Sequence, residues 1–192
     1  MKSAGLILAA GESRRMGTPK ALLDYQGETF IGRLVRLFAE RCDPVTVVLG
    51  AHAEAVRQSS PGHPGVRYVV NDAWRDGQTS SFLCGLREIP AGVDGVLFTL
   101  TDHPAVTPET LDALLADQGA LRIPRCDGRR GHPIWFSRDL IPELLALPPG
   151  GAARDVIRAH YPTATWIDTA DRGILADIDE PADYRALIGA QA

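Results

Sequence analysis

Leu6 to Lys20 reads LILAAGESRRMGTPK, an apolar run that opens into small residues and then presents Arg14, Arg15 and, five positions after Arg15, Lys20. A strand ending in Leu8, Ala9, Ala10 and Gly11 lets backbone N–H groups approach a phosphate with no large side chain in the way. Ser13 adds a hydroxyl, Arg14 or Arg15 a planar two-pronged donor, and Lys20 a point charge able to follow negative charge as it moves during phosphoryl-type transfer. The segment contains neither G-x-x-x-x-G-K-[ST] nor G-x-G-x-x-G, which argues against a Walker-type NTPase and against a dinucleotide-binding dehydrogenase. A basic, solvated turn after a strand is the bland alternative.

Three aspartates could complement such a loop. Asp102 follows the apolar run Val96-Leu97-Phe98, so its carboxylate falls at a strand end, where it can hold Mg²⁺ against an α-phosphate. Magnesium takes one or two protein carboxylates and fills its other positions with phosphate oxygens and water, so one aspartate can suffice. The rival role for Asp102 is capping a turn ahead of Pro104. Asp177 and Asp179 alternate in an extended segment and point the same way, which makes either a second metal contact. They could equally begin a helix at Pro181–Ile188. The five histidines show no H-x-x-x-H or H-E-x-x-H spacing, which speaks against zinc. His132, in G-H-P, is a candidate for orienting a second substrate or, alternatively, a hydrogen-bonded core histidine. Trp74 is either a pocket wall or core packing. Gly77, Gln78, Ser80 and Ser81 can contact base or ribose, unless Thr79 or Ser80 simply caps a helix.

The elements that must position these residues alternate. Short runs rich in branched residues predict strands at Gly5–Ala9, Val45–Leu49, Val66–Val70, Gly95–Thr99 and Ala164–Ile167. Between them, Thr29–Arg41 carries Phe30, Ile31, Leu34, Leu37 and Phe38 at the spacing of one buried helix face. Ser80–Glu88, Pro108–Leu115 and Arg138–Leu147 also read as helices, the second with Thr107 as N-cap. The alternation predicts a single-domain α/β/α layer fold over residues 1–192 with a mostly parallel, Rossmann-like sheet. Ligands gather at the carboxyl edge of such a sheet, where Ala10–Lys20, Gly50, Asn71 and Asp102 all fall.

Composition bounds the rest. With 192 residues and 45% apolar content the chain can bury one substantial core. A net charge of −4 gives no electrostatic reason to expect a nucleic-acid partner, so Arg14, Arg15 and Lys20 are assigned to a small anion. Cys42, Cys84 and Cys126 are odd in number and lack C-x-x-C, which argues against a disulfide framework or a thiolate zinc site. No apolar run nears the ~20 residues needed to span a bilayer, and a cytoplasmic protein is expected.

Five blocks, in order, resemble the MobA-like nucleotidyltransferases, and within them the molybdenum cofactor cytidylyltransferase branch. They are L-A-A-G-x-S-x-R-M-G-x-P-K at Leu8–Lys20, N-x-x-W-x-x-G-x-x-x-S from Asn71 through Trp74 and Gly77 to Ser81, Asp102-His103-Pro104, Gly131-His132-Pro133, and D-I-D-x-P-x-D-Y at Asp177–Tyr184. The resemblance implies transfer of CMP from CTP to the phosphate of molybdopterin, with pyrophosphate released and Mg²⁺ as cofactor. Arg15, Lys20 and Asp102 would be catalytic, and Leu8–Gly11, Ser13, Arg14, Gly50, Asn71, Gly77, Gln78 and Ser81 would hold the nucleotide. It raises Asp179 above Asp177 as the second metal contact. His103, His132 and Arg154 would face the acceptor, although His103 stands where this branch often has methionine and Gly151 where the family's G-D-x-G-A-R segment has aspartate. Ala10 favours CTP, since guanylyl relatives tend to have glycine there. A molybdoenzyme is a possible partner. Two other readings stay open: a binding protein that delivers cofactor without turnover, and a transferase for another phosphorylated acceptor such as a sugar phosphate.

Overall fold

The computed structural model describes residues 1–60, 62–148 and 150–189. Among these, the main sheet has eight strands. β1 (Ser3–Ala9), β2 (Val45–Leu49), β3 (Val66–Val70), β4 (Gly95–Leu100), β5 (Leu121–Cys126), β6 (Ile134–Ser137) and β7 (Thr165–Asp168) lie in the order β7-β5-β6-β4-β1-β2-β3. The eighth, Arg129–Arg130, turns back antiparallel on β5. β1 runs parallel to β2 and β4, β2 parallel to β3, and β5 parallel to β7. β6 is reversed, antiparallel to both β4 and β5.

The sheet lies between two helical layers because its central strands are apolar on both faces, as expected for buried parallel strands. All seven residues of β1 are buried, and they divide by parity. Ile7 and Ala9 join Val45, Val47, Leu49 and Leu97 in one cluster. That cluster is covered by α1 (Phe30–Ala39), α2 (Ala53–Ser59) and α4 (Pro108–Ala116). Leu6 and Leu8 pack on the other side with Val48, Val96, Phe98, Ile123 and Phe136. There α3 (Gln78–Arg87), α5 (Ile141–Leu145) and α6 (Ala153–Ala159) close the layer through Phe82, Leu86, Leu144 and Ile157. A smaller cluster of Met16, Tyr25, Phe30 and Ile178 joins the phosphate-loop candidate to the segment ahead of α7 (Pro181–Gly189).

The five strands expected from sequence are present within two residues at either end. Thr29 and Thr107 cap α1 and α4, their hydroxyls accepting from Gly32 N (3.1 Å) and Thr110 N (3.4 Å). Two expectations change. α3 starts at Gln78 behind Gly77 at φ +100°, with no side-chain cap, so neither Thr79 nor Ser80 is its N-cap. Arg138–Leu147 is not one helix, but a 3₁₀ turn at Arg138–Leu140 followed by the short α5. α2, α6, β5 and β6 have no counterpart in the sequence reading. Among the described residues no helix is long and apolar enough to cross a membrane.

Candidate functional site

The turn after β1 is wired to itself. Ser13, at φ +58°, accepts from Met16 N (3.0 Å) and Gly17 N (3.2 Å) through its carbonyl, and its hydroxyl accepts from Lys20 N at 3.0 Å. The carbonyl of Glu12 is in turn held by His52 Nε2 at 3.1 Å. A non-glycine residue in the left-handed region costs about 1 kcal/mol or more, and such conformations collect at ligand sites. The loop forms one wall of a cleft of about 710 Å³ together with Trp74, Gly77, Gln78, Ser81, Asp102, Asp177 and Asp179. Leu8, Ala9, Ala10, Gly11, Ser13, Arg14, Arg15 and Lys20 all lie on this wall.

Two candidates from sequence lie behind it. Gly50 and Asn71 are absent from the cleft lining. A Cβ on Gly50 would stand 2.4 Å from the Ala10 carbonyl and 2.8 Å from Trp74 Cβ, so the glycine lets the loop and Trp74 pack together. Asn71 is buried and donates to the hydroxyls of Ser80 (2.9 Å) and Ser81 (3.0 Å), while its own oxygen accepts from Ala73 N at 3.1 Å. It fixes the start of α3 against the turn carrying Trp74. Gly50→Ala should therefore push the loop out of register, lowering stability by about 1–3 kcal/mol as overpacking does. A thermal melt checks it.

The charges converge where the carboxyl-terminal segment crosses the loop. Ile178 is buried, and its N–H donates to the Asp102 carbonyl at 3.0 Å, which pins Asp177 and Asp179 on either side of it over the end of β4. Asp179 accepts from Arg15 Nη2 at 2.8 Å and from Lys20 Nζ. Lys20 Nζ also lies 3.7 Å from Asp102 Oδ2. Arg14 instead turns to Glu12, at 2.7 Å. The backbone of Asp179 and Glu180 does lead into α7, where the Asp183 carboxylate accepts from the N–H groups of Asp179 (2.9 Å) and Glu180 (2.7 Å), but the Asp179 side chain turns away to Arg15 and Lys20.

Ligand atoms of Asp102, His103 and Asp177 lie within 4.8 Å of one another. Burial pushes the Asp102 carboxyl above its usual range despite Lys20. Burial, then repulsion from Asp102 and Asp179, does the same to Asp177. The salt bridge to Lys20 holds Asp179 below the carboxylate range. Asp102 Oδ1 is buried with no hydrogen-bond partner. Two carboxylates held against their preference to ionise, one with an orphaned oxygen, fit a hard divalent cation. Asp177 rather than Asp179 thus stands with Asp102 in this group, the reverse of the preference taken from sequence.

His103 and His132 lie beyond Asp102, their rings 5.0 Å apart. Burial drives both pKa values down, to about 4 and about 3, so both imidazoles are neutral at pH 7. They line a second cleft of about 930 Å³, which also takes in Arg154. The two clefts share Gly77, Gln78, Leu100 and Asp177. A cation-lined loop in one cleft, a carboxylate pair at the junction and a second cleft beyond suit the joining of two substrates at a phosphate.

The model of the MobA-like NTP transferase domain matches residues 5–164. The chain belongs to this family. Proteins similar to it carry several names. It is 33% identical over 189 residues to nicotine blue oxidoreductase of Paenarthrobacter nicotinovorans, covering 91% of each chain. It is 30% identical over 203 residues to a probable molybdenum cofactor guanylyltransferase of Mycobacterium avium, covering 100% of this chain and 98% of the relative. Among solved structures, Rv0371c of Mycobacterium tuberculosis H37Rv superposes with a TM-score of 0.83 at 27% identity, over 98% of both chains. A complex of that protein with manganese superposes at 0.76 and 26% identity, over 99% of this chain and 100% of the other.

Residues that sequence reasoning missed include Glu12 and His52, which hold the loop, and Arg75, whose guanidinium lies 4.3 Å from the Trp74 ring centre on the cleft wall. Glu12 and Arg75 fill variable positions within two of the motifs, where the residue type carries no signal, and His52 stands in none.

Proposed function

We propose that this member of the family is a cytoplasmic, Mg²⁺-dependent nucleotidyltransferase that moves CMP from CTP to the phosphate of molybdopterin in its molybdenum-loaded form. The observation that carries the reading is the junction of the two clefts, where Lys20, Asp102 and Asp177 meet. A triphosphate in the first cleft would have its α-phosphorus at that junction, and an acceptor in the second would bring its phosphate to the same point.

The chain's own work is positioning and charge neutralisation. Loop N–H groups from Ala10 to Ser13 would hold phosphate oxygens. Arg15 and Lys20, released from Asp179 by the incoming triphosphate, would take up the charge of the departing pyrophosphate. Neutral His103 and His132 would orient the acceptor through ring contacts and hydrogen bonds and add no charge. The acceptor phosphate is already ionised, so no side chain need act as general base. A divalent cation held by Asp102 and Asp177 would, when bound, withdraw charge from the α-phosphate. The manganese complex of the Mycobacterium tuberculosis protein supports a cation in this family.

CTP as donor rests on Ala10, while guanylyltransferases stand among the relatives. Pyrophosphate release from CTP, GTP, ATP and UTP, with Mg²⁺ and molybdenum-loaded molybdopterin, separates the choices. CTP-selective release is expected. GTP-selective release would reassign the base, and nucleotide binding without release would leave a carrier. The oxidoreductase name of one relative supplies a second reading, so parallel mixtures with a nicotinamide reductant added are monitored for its oxidation. Oxidation in place of pyrophosphate release would overturn the transferase.

A further inference from the structure

The second cleft holds more positive charge than one reacting phosphate requires. Arg129, Arg130, Arg154 and Arg158 line it, and none of them lines the nucleotide cleft. Arg154 and Arg158 are one helical turn apart on α6, so they share a face. The guanidinium of Arg130 lies 5.5 Å from the ring centre of Tyr161, which follows Arg158 by three residues and lines the same cleft. Tyr161 is braced from behind by Trp166, ring centres 5.6 Å apart. The turn at Arg129–Arg130 and the end of α6 therefore contribute to one stretch of wall.

Little on the protein neutralises this wall. Asp155 is 3.7 Å from Arg154 and 3.9 Å from Arg158, loose contacts between exposed groups, and it does not line the cleft. Arg129 and Arg130 have no carboxylate partner among the described residues. The carboxylates that do line the cleft are Asp76 and Asp177. Asp177 belongs to the junction with Asp102, where the reacting phosphate must lie. The arginines sit on other elements, the two-residue strand after β5 and helix α6.

We infer that the acceptor carries a second anionic group, remote from the phosphate that reacts, and that Arg130 and Arg158 bind it. The inference rests on the nucleotidyl-transfer reading and narrows its acceptor: a sugar monophosphate with no further charge would leave these arginines unused. Guanidinium groups make charge-assisted, two-pronged contacts to oxyanions, and the clustered cations select for charge at that end of the ligand.

Two measurements test it. The first needs no turnover: inorganic pyrophosphate is titrated by calorimetry into protein whose nucleotide cleft is filled by a saturating non-hydrolysable NTP analogue. Wild type should bind it, the double variant Arg130→Gln/Arg158→Gln at least tenfold more weakly, and Arg130→Lys/Arg158→Lys in between. The second is kinetic, with molybdenum-loaded molybdopterin. The glutamine pair should raise the acceptor KM at least tenfold, with kcat at saturating acceptor and the KM for CTP within twofold. Pyrophosphate binding indifferent to the substitutions, or absent from wild type, overturns the anion site. Loss of all transfer by wild type, with pyrophosphate still held by the arginines, overturns the transferase reading instead.

Discussion

Asp102→Asn should lower pyrophosphate release by about two to three orders of magnitude, the loss seen when one preorganised electrostatic group is removed from a reacting centre. The same substitution should leave the metal-free fold as stable as wild type, or more so. The sign follows from the raised pKa of Asp102. A carboxyl whose folded pKa lies above its unfolded value is harder to ionise in the folded chain, so at pH 7 the charge opposes folding. Asparagine removes that charge in nearly the same shape. Wild type should therefore gain thermal stability when Mg²⁺ or Mn²⁺ is added, and the variant should not. Thermal melts with and without the ion, beside the release assay, are the measurement. A variant that retains turnover, or that still gains stability from the ion, would remove Asp102 from the site.

Lys20→Met should cost both rate and stability. Lys20 is largely buried, its side chain 13% exposed, and it stands between Asp179 and Asp102. Without its charge, three carboxylates face one another across the junction. A loss of about 2 kcal/mol is expected, less than for a fully enclosed pair because Asp179 is partly solvated. In a chain of this size that lowers the melting temperature by about 4–8 °C. Release should fall about a thousandfold, since Lys20 is the cation nearest the junction. Added Mg²⁺ should recover part of the stability by screening the carboxylates, and none of the rate. Recovery of both would make Lys20 a structural counter-charge only.

Legibility from sequence followed the physics of each element. α1 was readable because a buried stripe repeats along ten residues. α2 and α6 span seven residues each and bury one residue apiece, Val56 and Ile157, which leaves no period to detect. β5 hides behind its composition. Pro124 interrupts it, and Arg122, which looks solvated, is buried with its guanidinium 3.6 Å from the Trp135 ring centre and bonded to the Leu114 carbonyl at 2.8 Å. β6 has four residues, too few to show a period, although the Asp127-Gly128 turn that reverses the chain ahead of it is written in the sequence.

The site divides in the same way. The loop and Asp102 follow strand ends, so topology predicts their meeting. The closure of Asp179 on Arg15 and Lys20 spans 164 and 159 residues and depends on Ile178 reaching the cluster under Met16 and Phe30. No local pattern carries such a contact. Gly50 and Asn71 follow strand ends too, yet their contacts run to Ala10, Trp74, Ser80 and Ser81 and not into the cleft.

The reversal of β6 also affects how the protein can change over generations. Because that strand runs against its neighbours, its beginning, at Gly131-His132-Pro133, arrives at the same edge where β1 and β4 end. The second cleft is consequently assembled largely from residues 129–161, while the basic loop of the first belongs to residues 8–20; on the function proposed above, these are the acceptor and donor sides. The two recognition tasks are written on separate stretches of chain that meet at a shared seam. A lineage can redraft the later stretch, altering what is modified, and inherit the earlier one untouched.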